Sequence, residues 1–315
     1  MAQLIVKRLL QAVLTTFLVS LLIFAGTEIL PGDVAIALLG SVATDEALHA
    51  IRVSLNLYDP AYVRYLRWLT GFLGGDLGTS LTTQAAIAPE LWVRVINTFS
   101  LAGIAAVVVM PLSLLMGIIT AVWRNGVVDR LVNILGLAAI SLPVFLIAYI
   151  LILVFSVHLG LFSSLSNVAA NASFTERLDA IALPVITLVL AVFAYVMRMT
   201  RTAILSVMQE SYIEMALLKG VPAWRIILYH ALPNALAPII QVISFNLAYM
   251  VAGVVIVEFI FVYPGVGSYL VEAVGKRDVP VVQACGLVFA VTYIVLNLLA
   301  DLLNIVCNPR LRYPK

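Results

Sequence analysis

The sequence predicts an all-α integral membrane protein with six transmembrane helices and both termini on the cytoplasmic side. Three observations carry this. Of 315 residues, 63% are apolar and 11% are charged, where a soluble domain carries roughly 25% charged residues. Mean hydropathy is +1.11. Charges are absent from six long runs, lying between Arg8 and Glu28, Arg94 and Arg124, Arg130 and Glu176, Asp179 and Arg198, Arg225 and Glu258, and Asp278 and Asp301. A hydrocarbon layer about 30 Å thick needs roughly 20 apolar helical residues, because lipid cannot satisfy an open backbone. This composition excludes a soluble globular, a disordered and a fibrous chain.

The first span is expected at 9–29. Lys7-Arg8 before an apolar run also resembles a secretory signal, but the run exceeds a typical signal core and no small-x-small cleavage site follows, so a retained span is expected. An outside segment, 30–95, opens with Leu30-Pro31-Gly32-Asp33, a helix stop and turn. Thr44-Asp45-Glu46-Ala47 reads as a capped helix start. Asp59-Pro60 opens a second helix, in which Tyr62, Tyr65, Leu66 and Leu69 share one face and Arg64 and Arg67 another. This is the pattern of a helix resting at the membrane surface. Gly74-Gly75-Asp76-Leu77-Gly78-Thr79-Ser80 supplies a tight turn.

The core, 96–305, holds the other spans near 97–122, 133–157, 180–203, 235–259 and 282–304. His158 to Thr175 is rich in Ser and Asn and reads as a loop. Between the fourth and fifth spans, Met208 to Lys219 has helical composition, Gly220 suits a C-terminal cap and Pro222 the first turn of a new helix. Leu232-Pro233-Asn234 marks an expected break before the fifth span. The segment therefore reads helix, Gly, helix, a short rod outside the bilayer near 210–220. The tail is 306–315.

Orientation follows Lys and Arg. With the N-terminus inside, the inner segments hold Lys7, Arg8, Arg124, Arg130, Arg198, Arg201, Lys219, Arg225, Arg310, Arg312 and Lys315. The long outer loops hold only Arg52, Arg64, Arg67, Arg94, Arg177, Lys276 and Arg277.

Much chemistry is missing. The nearest string to a phosphate loop, Gly275-Lys276-Arg277, lacks the earlier Gly and the hydroxyl. His49, His158 and His230 are not spaced as metal ligands, and no metal site is expected. Cys285 and Cys307 on one helix would stand roughly 33 Å apart, beyond disulfide reach. No Gly-x-Ser-x-Gly elbow occurs, so no catalytic residue is nominated. A net charge of +2 does not point to nucleic acid. Glu258 and Asp301 lie at span ends, leaving little for an intramembrane proton relay. A stand-alone channel or secondary carrier and a membrane-embedded enzyme are the rival classes, and neither finds its machinery.

Glu214-Met215-Ala216, then Gly220, then Leu232-Pro233, resembles the EAA motif of ABC-importer permeases. Met215 departs from the motif, and His230 stands where Ile is usual. The string AxxKG followed by HALPNALAP is similar to the dipeptide, oligopeptide and nickel branch. KRLLQAVLTTFLVSLLIFAGTEILPGD, YVRYLRWLTGFLGGDLGTS and EFIFVYPGVGSYLVEAVGKRDVPVVQA resemble that branch's first span, outside loop and fifth-to-sixth connection. The resemblance covers nearly the whole chain, and the long loop after the first span is similar to the B-type permease.

The resemblance implies a type I ABC-importer permease fold in a bacterial inner membrane. It implies a second homologous permease, two ATP-binding subunits that hold ATP and Mg, and a periplasmic solute-binding protein, with no cofactor in this chain. Glu214, Met215, Ala216, Lys219, Gly220, Val221 and Pro222 would form the coupling element seated on an ATPase, with Glu214 paired to that subunit or locally to Lys219 or Arg225. Tyr195, Gln241, Ser244, Asn246 and Tyr249 are candidates for the translocation path, or for helix packing. Tyr263, Pro264, Gly265 and Gly267 are candidates for contact with the binding protein, or for a plain turn. Di- and oligopeptides are the expected cargo; nickel chelates, glutathione, opines and oligosaccharides are alternatives.

Overall fold

The computed structural model describes residues 2–29, 44–54, 56–167 and 173–307. These are helical apart from turns, loops and one isolated β-bridge between Thr79 and Ala86. The expected turn at Leu30-Pro31-Gly32-Asp33 and the tail 308–315 fall outside the described residues. In order the helices are α1 (Ala2–Ile29), α2 (Asp45–Ser54), α3 (Ala61–Leu73), α4 (Ile87–Val122), α5 (Val127–Ser141) and α6 (Val144–Leu151). There follow α7 (Phe174–Val207), α8 (Ser211–Leu218), α9 (Ala223–Ile226), α10 (Leu232–Ile260), α11 (Val266–Lys276) and α12 (Val279–Cys307). The chain divides into two compact units, one of residues 10–98 and 264–294, the other of 1–9, 99–263 and 295–315.

Five helices are long and apolar enough to cross a bilayer, and a sixth crossing exists if the pair formed by Val127–Ser141 and Val144–His158 counts as one. That pair corrects the continuous third span expected at 133–157, because it bends by 107°. The cause is Pro143, which ends one helix and occupies the N-cap position of the next. Proline has no N–H to donate, and its ring bars the preceding residue from helical backbone. After α6 the chain widens into a π-helical turn, Ile152–His158, and enters the expected loop. There Ser166 is buried and its N–H donates to the Phe261 carbonyl at 2.8 Å. A capping box of Ser173 and Glu176 starts α7, earlier than the expected 180.

The larger unit is built around α7. Its core joins Leu101, Ala105 and Val109 of α4 to Ile147 and Ala148 of α6, Leu188, Val192 and Val196 of α7, and Met250, Val254 and Val257 of α10. A second cluster gathers Ala121, Ile204, Ala231, Ala235 and Ile239. Close approach is set by small residues. A Cβ on Gly117 would lie 2.8 Å from the Thr200 side chain and 2.9 Å from the Met197 carbonyl oxygen. Neither is a flexible tip that swings aside, so Gly117→Val is expected to lower stability by about 1–3 kcal/mol. A lowered thermal midpoint of the purified chain in detergent checks this.

α5 and α7 are clamped by charge. Arg201 donates from Nε and Nη2 to the two carboxylate oxygens of Asp129, each at 2.8 Å. The same carboxylate accepts from the Asn125 N–H at 2.9 Å and from Asn133 Nδ2 at 2.7 Å. Asp129 thus holds the turn before α5, where Asn125 takes a positive φ of 63°, as well as the helix beside it.

In the smaller unit α3 lies against α1. Tyr65 packs edge-on to Phe24 and shares a 2.8 Å hydrogen bond with Ser20, and Arg64 pairs with Glu28. The covered face is therefore Tyr65 and Trp68, while Tyr62 and Leu66 are exposed. This departs from the expected face of Tyr62, Tyr65, Leu66 and Leu69, since aromatic bulk meeting α1 decides which side is buried.

The loop 78–86 is pinned by Asp278. Its carboxylate accepts from Ser80 Oγ, from the Leu81 N–H at 3.1 Å, and from Thr82 Oγ1 at 2.8 Å and Thr82 N–H at 3.2 Å. Burial pushes the Asp278 carboxyl pKa up, but these donors outweigh burial and its pKa is lowered. A depressed carboxylate pKa adds stability that is fully present above the unfolded value of about 3.9 and lost as pH falls through the folded value. Amide exchange at Leu81 and Thr82, corrected for intrinsic rate, is expected to lose protection as pH drops below about 4. Asp278→Asn is expected to abolish that dependence.

Candidate functional site

The elbow after α7 is the most distinctive local construction. α7 ends at Val207, and Met208 to Glu210 form a turn rather than the first residues of the next helix. α8 then spans Ser211–Leu218, with Ile213 fully buried beneath it. Gly220 takes a φ of 77°. The Gly220 N–H donates to the Leu217 carbonyl at 2.9 Å and the Val221 N–H to the Ala216 carbonyl at 3.3 Å. This is a Schellman closure, whose left-handed residue is glycine because a Cβ is disfavoured there. Pro222 then opens α9, its carbonyl accepting from Arg225 at 3.0 Å and Ile226 at 3.1 Å.

The rod presents Tyr212, Glu214, Met215, Leu217, Leu218 and Lys219 outward, with Leu218 79% exposed, while Ala216 and Val221 are half-buried. Gly220 and Pro222 are exposed. Among the described residues neither Lys219 nor Arg225 pairs with Glu214, which corrects the local alternative for that carboxylate. A short helix with one buried isoleucine and a closed C-terminus presents a mostly apolar outer surface that carries Glu214 and Lys219.

The expected break at Leu232-Pro233-Asn234 does not occur. The backbone stays helical from Ala223 to Ile260, through a π-helical turn at Ile227–Ala231. A π-turn relieves the clash that Pro233 would impose on the preceding turn. Asn234 Nδ2 donates to the His230 carbonyl at 2.7 Å, replacing a main-chain donor. The elbow is consequently one continuous piece with α10.

The five path candidates separate. Tyr195 on α7 and Gln241 and Tyr249 on α10 are exposed. Ser244 and Asn246 are buried, and Asn246 Nδ2 donates to the Val242 carbonyl of its own helix at 2.8 Å. Arg198, an inner-segment charge by sequence, is exposed one turn on from Tyr195 on the same helix. The turn after α10 is packed inward. Tyr263, Gly265 and Gly267 are buried and Pro264 is half-buried. The Tyr263 hydroxyl is pushed up to about 12, by burial first and the Glu258 charge second. From Pro264 onward the turn is held by α4: Asn97 Nδ2 donates to the Pro264 carbonyl at 2.8 Å, the Val266 N–H donates to Thr98 Oγ1 at 2.9 Å, and Arg94 lies 4.3 Å over the Tyr269 ring. Among the described residues no three His, Cys, Asp or Glu side chains gather as a metal site.

Comparison with known proteins shows the family of the chain. Residues 113–313 match the family described as binding-protein-dependent transport system inner membrane component. Residues 1–102 match the corresponding N-terminal family. A protein of Brucella abortus (strain 2308), provisionally named a peptide transport system permease, is 36% identical over 313 residues, covering 99% of this chain and 100% of its own. The glutathione transport system permease protein GsiC of Pectobacterium atrosepticum is 35% identical over 308 residues, 98% of each chain. That of Escherichia coli (strain K12) is 35% identical over 309 residues, again 98% of each.

Proposed function

The chain belongs to the family of binding-protein-dependent transport system inner membrane components, and from that premise we propose how its parts divide the work. It is a permease of a peptide-type ABC importer and not itself an enzyme. Two ATP-binding subunits, with ATP and Mg, supply the energy; a second, homologous permease completes the passage; and a periplasmic binding protein delivers cargo. Both termini are cytoplasmic, 30–95 is periplasmic, and α8 faces the cytoplasm.

One observation carries this reading: a closed, outward-facing helix, α8, continuous through a glycine elbow with the long helix α10. Glu214, Met215 and Lys219 present its surface to an ATPase groove, Ala216 permits close approach, and Gly220, Val221 and Pro222 fix its angle. Movement of the ATPases on nucleotide binding then pulls on α10 and shifts the permease between inward- and outward-open populations. Tyr195, Gln241 and Tyr249 line the passage, whereas the buried Ser244 and Asn246 serve packing. The turn Tyr263-Pro264-Gly265-Val266-Gly267 meets the binding protein at half-exposed Pro264 and exposed Val262. Cargo is a di- or oligopeptide, with the tripeptide glutathione as the alternative that the GsiC relatives favour.

Reconstitution tests the division of labour. Proteoliposomes holding both permeases and both ATPases are expected to accumulate labelled peptide only with ATP and binding protein present. ATP-independent uptake by this chain alone overturns the reading.

A further inference from the structure

We propose that Arg198 is a cargo-contacting residue that draws the free carboxylate of a peptidic substrate along one polar side of the α7–α10 pair. This rests on the permease reading above and names a specificity determinant within it.

The two exposed stripes lie on the same side. α7 and α10 pack together; Val192 and Val196 share a cluster with Met250 and Val254, and Ile204 shares one with Ala235 and Ile239, so the helices are antiparallel. At about 100° per residue, Tyr195, Arg198, Met199 and Thr202 form a stripe to one side of that contact. Met197, beside Gly117 of α4 and Gly136 of α5, and Arg201, paired with Asp129 of α5, lie to the other. On α10 the stripe Gln241, Phe245 and Tyr249 stands a comparable angle from Ile239 and Met250. Because reversing a helix reverses its sense of rotation, the α10 stripe opens on the same side as the α7 stripe. All seven residues are exposed.

This side differs in chemistry from the chain's other exposed span surfaces. α1 shows Leu10, Val13, Leu14, Phe17, Leu18 and Leu22 with only uncharged Gln11 and Thr15 among them, and α4 shows Val107, Val108, Leu112 and Leu115, as lipid-facing helices should. The α7–α10 side interleaves a guanidinium, an amide, two phenols and a hydroxyl with Phe245 and Met199. Arg198 lies inside the apolar helix Phe174–Val207, and a cation within such a helix characteristically faces a water-filled path or reaches the interface. Arg198 makes no ion pair among the described residues. Its planar fork matches a carboxylate, and the aromatic and thioether groups around it suit side chains of varied kind.

The test uses the complete importer in proteoliposomes, with saturating binding protein and a peptide bearing a free C-terminal carboxylate. Arg198→Gln is expected to lower uptake about tenfold, the scale of one charge-assisted hydrogen bond, with Arg198→Lys retaining part of it. ATPase stimulation by loaded binding protein is expected to persist, which separates this site from the coupling reading. In parallel, Arg198→Cys in a chain with Cys285 and Cys307 replaced by Ser is expected to react with a charged, membrane-impermeant thiol reagent, and to be protected by peptide during turnover. Val107→Cys in the same background is expected to stay unreactive. Unchanged uptake in Arg198→Gln, loss of ATPase stimulation together with uptake, or a residue 198 thiol that the charged reagent does not reach would each overturn the proposal. The last of these results assigns residue 198 to a face covered by hydrocarbon or by the second permease.

Discussion

Gly220→Pro abolishes transport and the stimulation of ATP hydrolysis by loaded binding protein, while the chain still reaches the membrane at wild-type level. Gly220 has a φ of 77°, and proline holds φ near −65°. The substitution also deletes the N–H that donates to the Leu217 carbonyl at 2.9 Å. Both the angle between α8 and α9 and the closure of α8 are lost together, and a push on the rod no longer arrives at α10. Nothing lies within 4 Å of a Cβ built on Gly220, so Gly220→Ala suffers only the left-handed backbone strain of roughly 1–2 kcal/mol, and Asn less. A graded series, Gly above Asn above Ala above Pro, is expected in coupled ATPase rate, with insertion measured by immunoblot of the membrane fraction. A proline variant that transports normally would remove α8 from the coupling path.

Asp129→Ala produces the largest loss of stability. The Arg201 side chain is 21% exposed and Asp129 only 6%, so removing the carboxylate strands a mostly buried guanidinium, the Asn125 N–H and an Asn133 amide. Breaking one partner of a buried pair costs about 3–5 kcal/mol, and the thermal midpoint in detergent is expected to fall by on the order of 10 °C. Arg201→Lys does not rescue the geometry, because an ammonium cannot make the two parallel bonds. Asp129→Asn combined with Arg201→Gln is expected to be less destabilised than the two single changes added together. Strict additivity would show that the clamp between α5 and α7 contributes nothing as a pair.

The local features were legible because each depends on residues close in sequence. Charge-free runs announce helices that only a bilayer can accommodate, and Gly220 with Pro222 announces an elbow from backbone chemistry alone. The polar stretch after His158 declared itself a loop, which the described residues 159–167 form. Pro143 carried its own signal as well, in Leu142-Pro143, and was hidden only by the continuous hydrophobicity around it. The π-turn before Pro233 was not legible, since proline in a helix has two outcomes and packing on either side selects between them.

By itself, then, the sequence determined the class of molecule, the family, five of the six expected spans and the elbow, all of which follow from hydropathy, backbone constraint and short motifs. The tertiary structure alone decided which charges pair and which polar side chains face outward. Asp129 and Arg201 are far apart along the chain, as are Asp278 and Ser80, so no local pattern links them. The physical reason is helix phase: a turn of 100° per residue places Gln241 and Tyr249 on an open face and Asn246 in the core, and only the neighbouring helix says which direction is open.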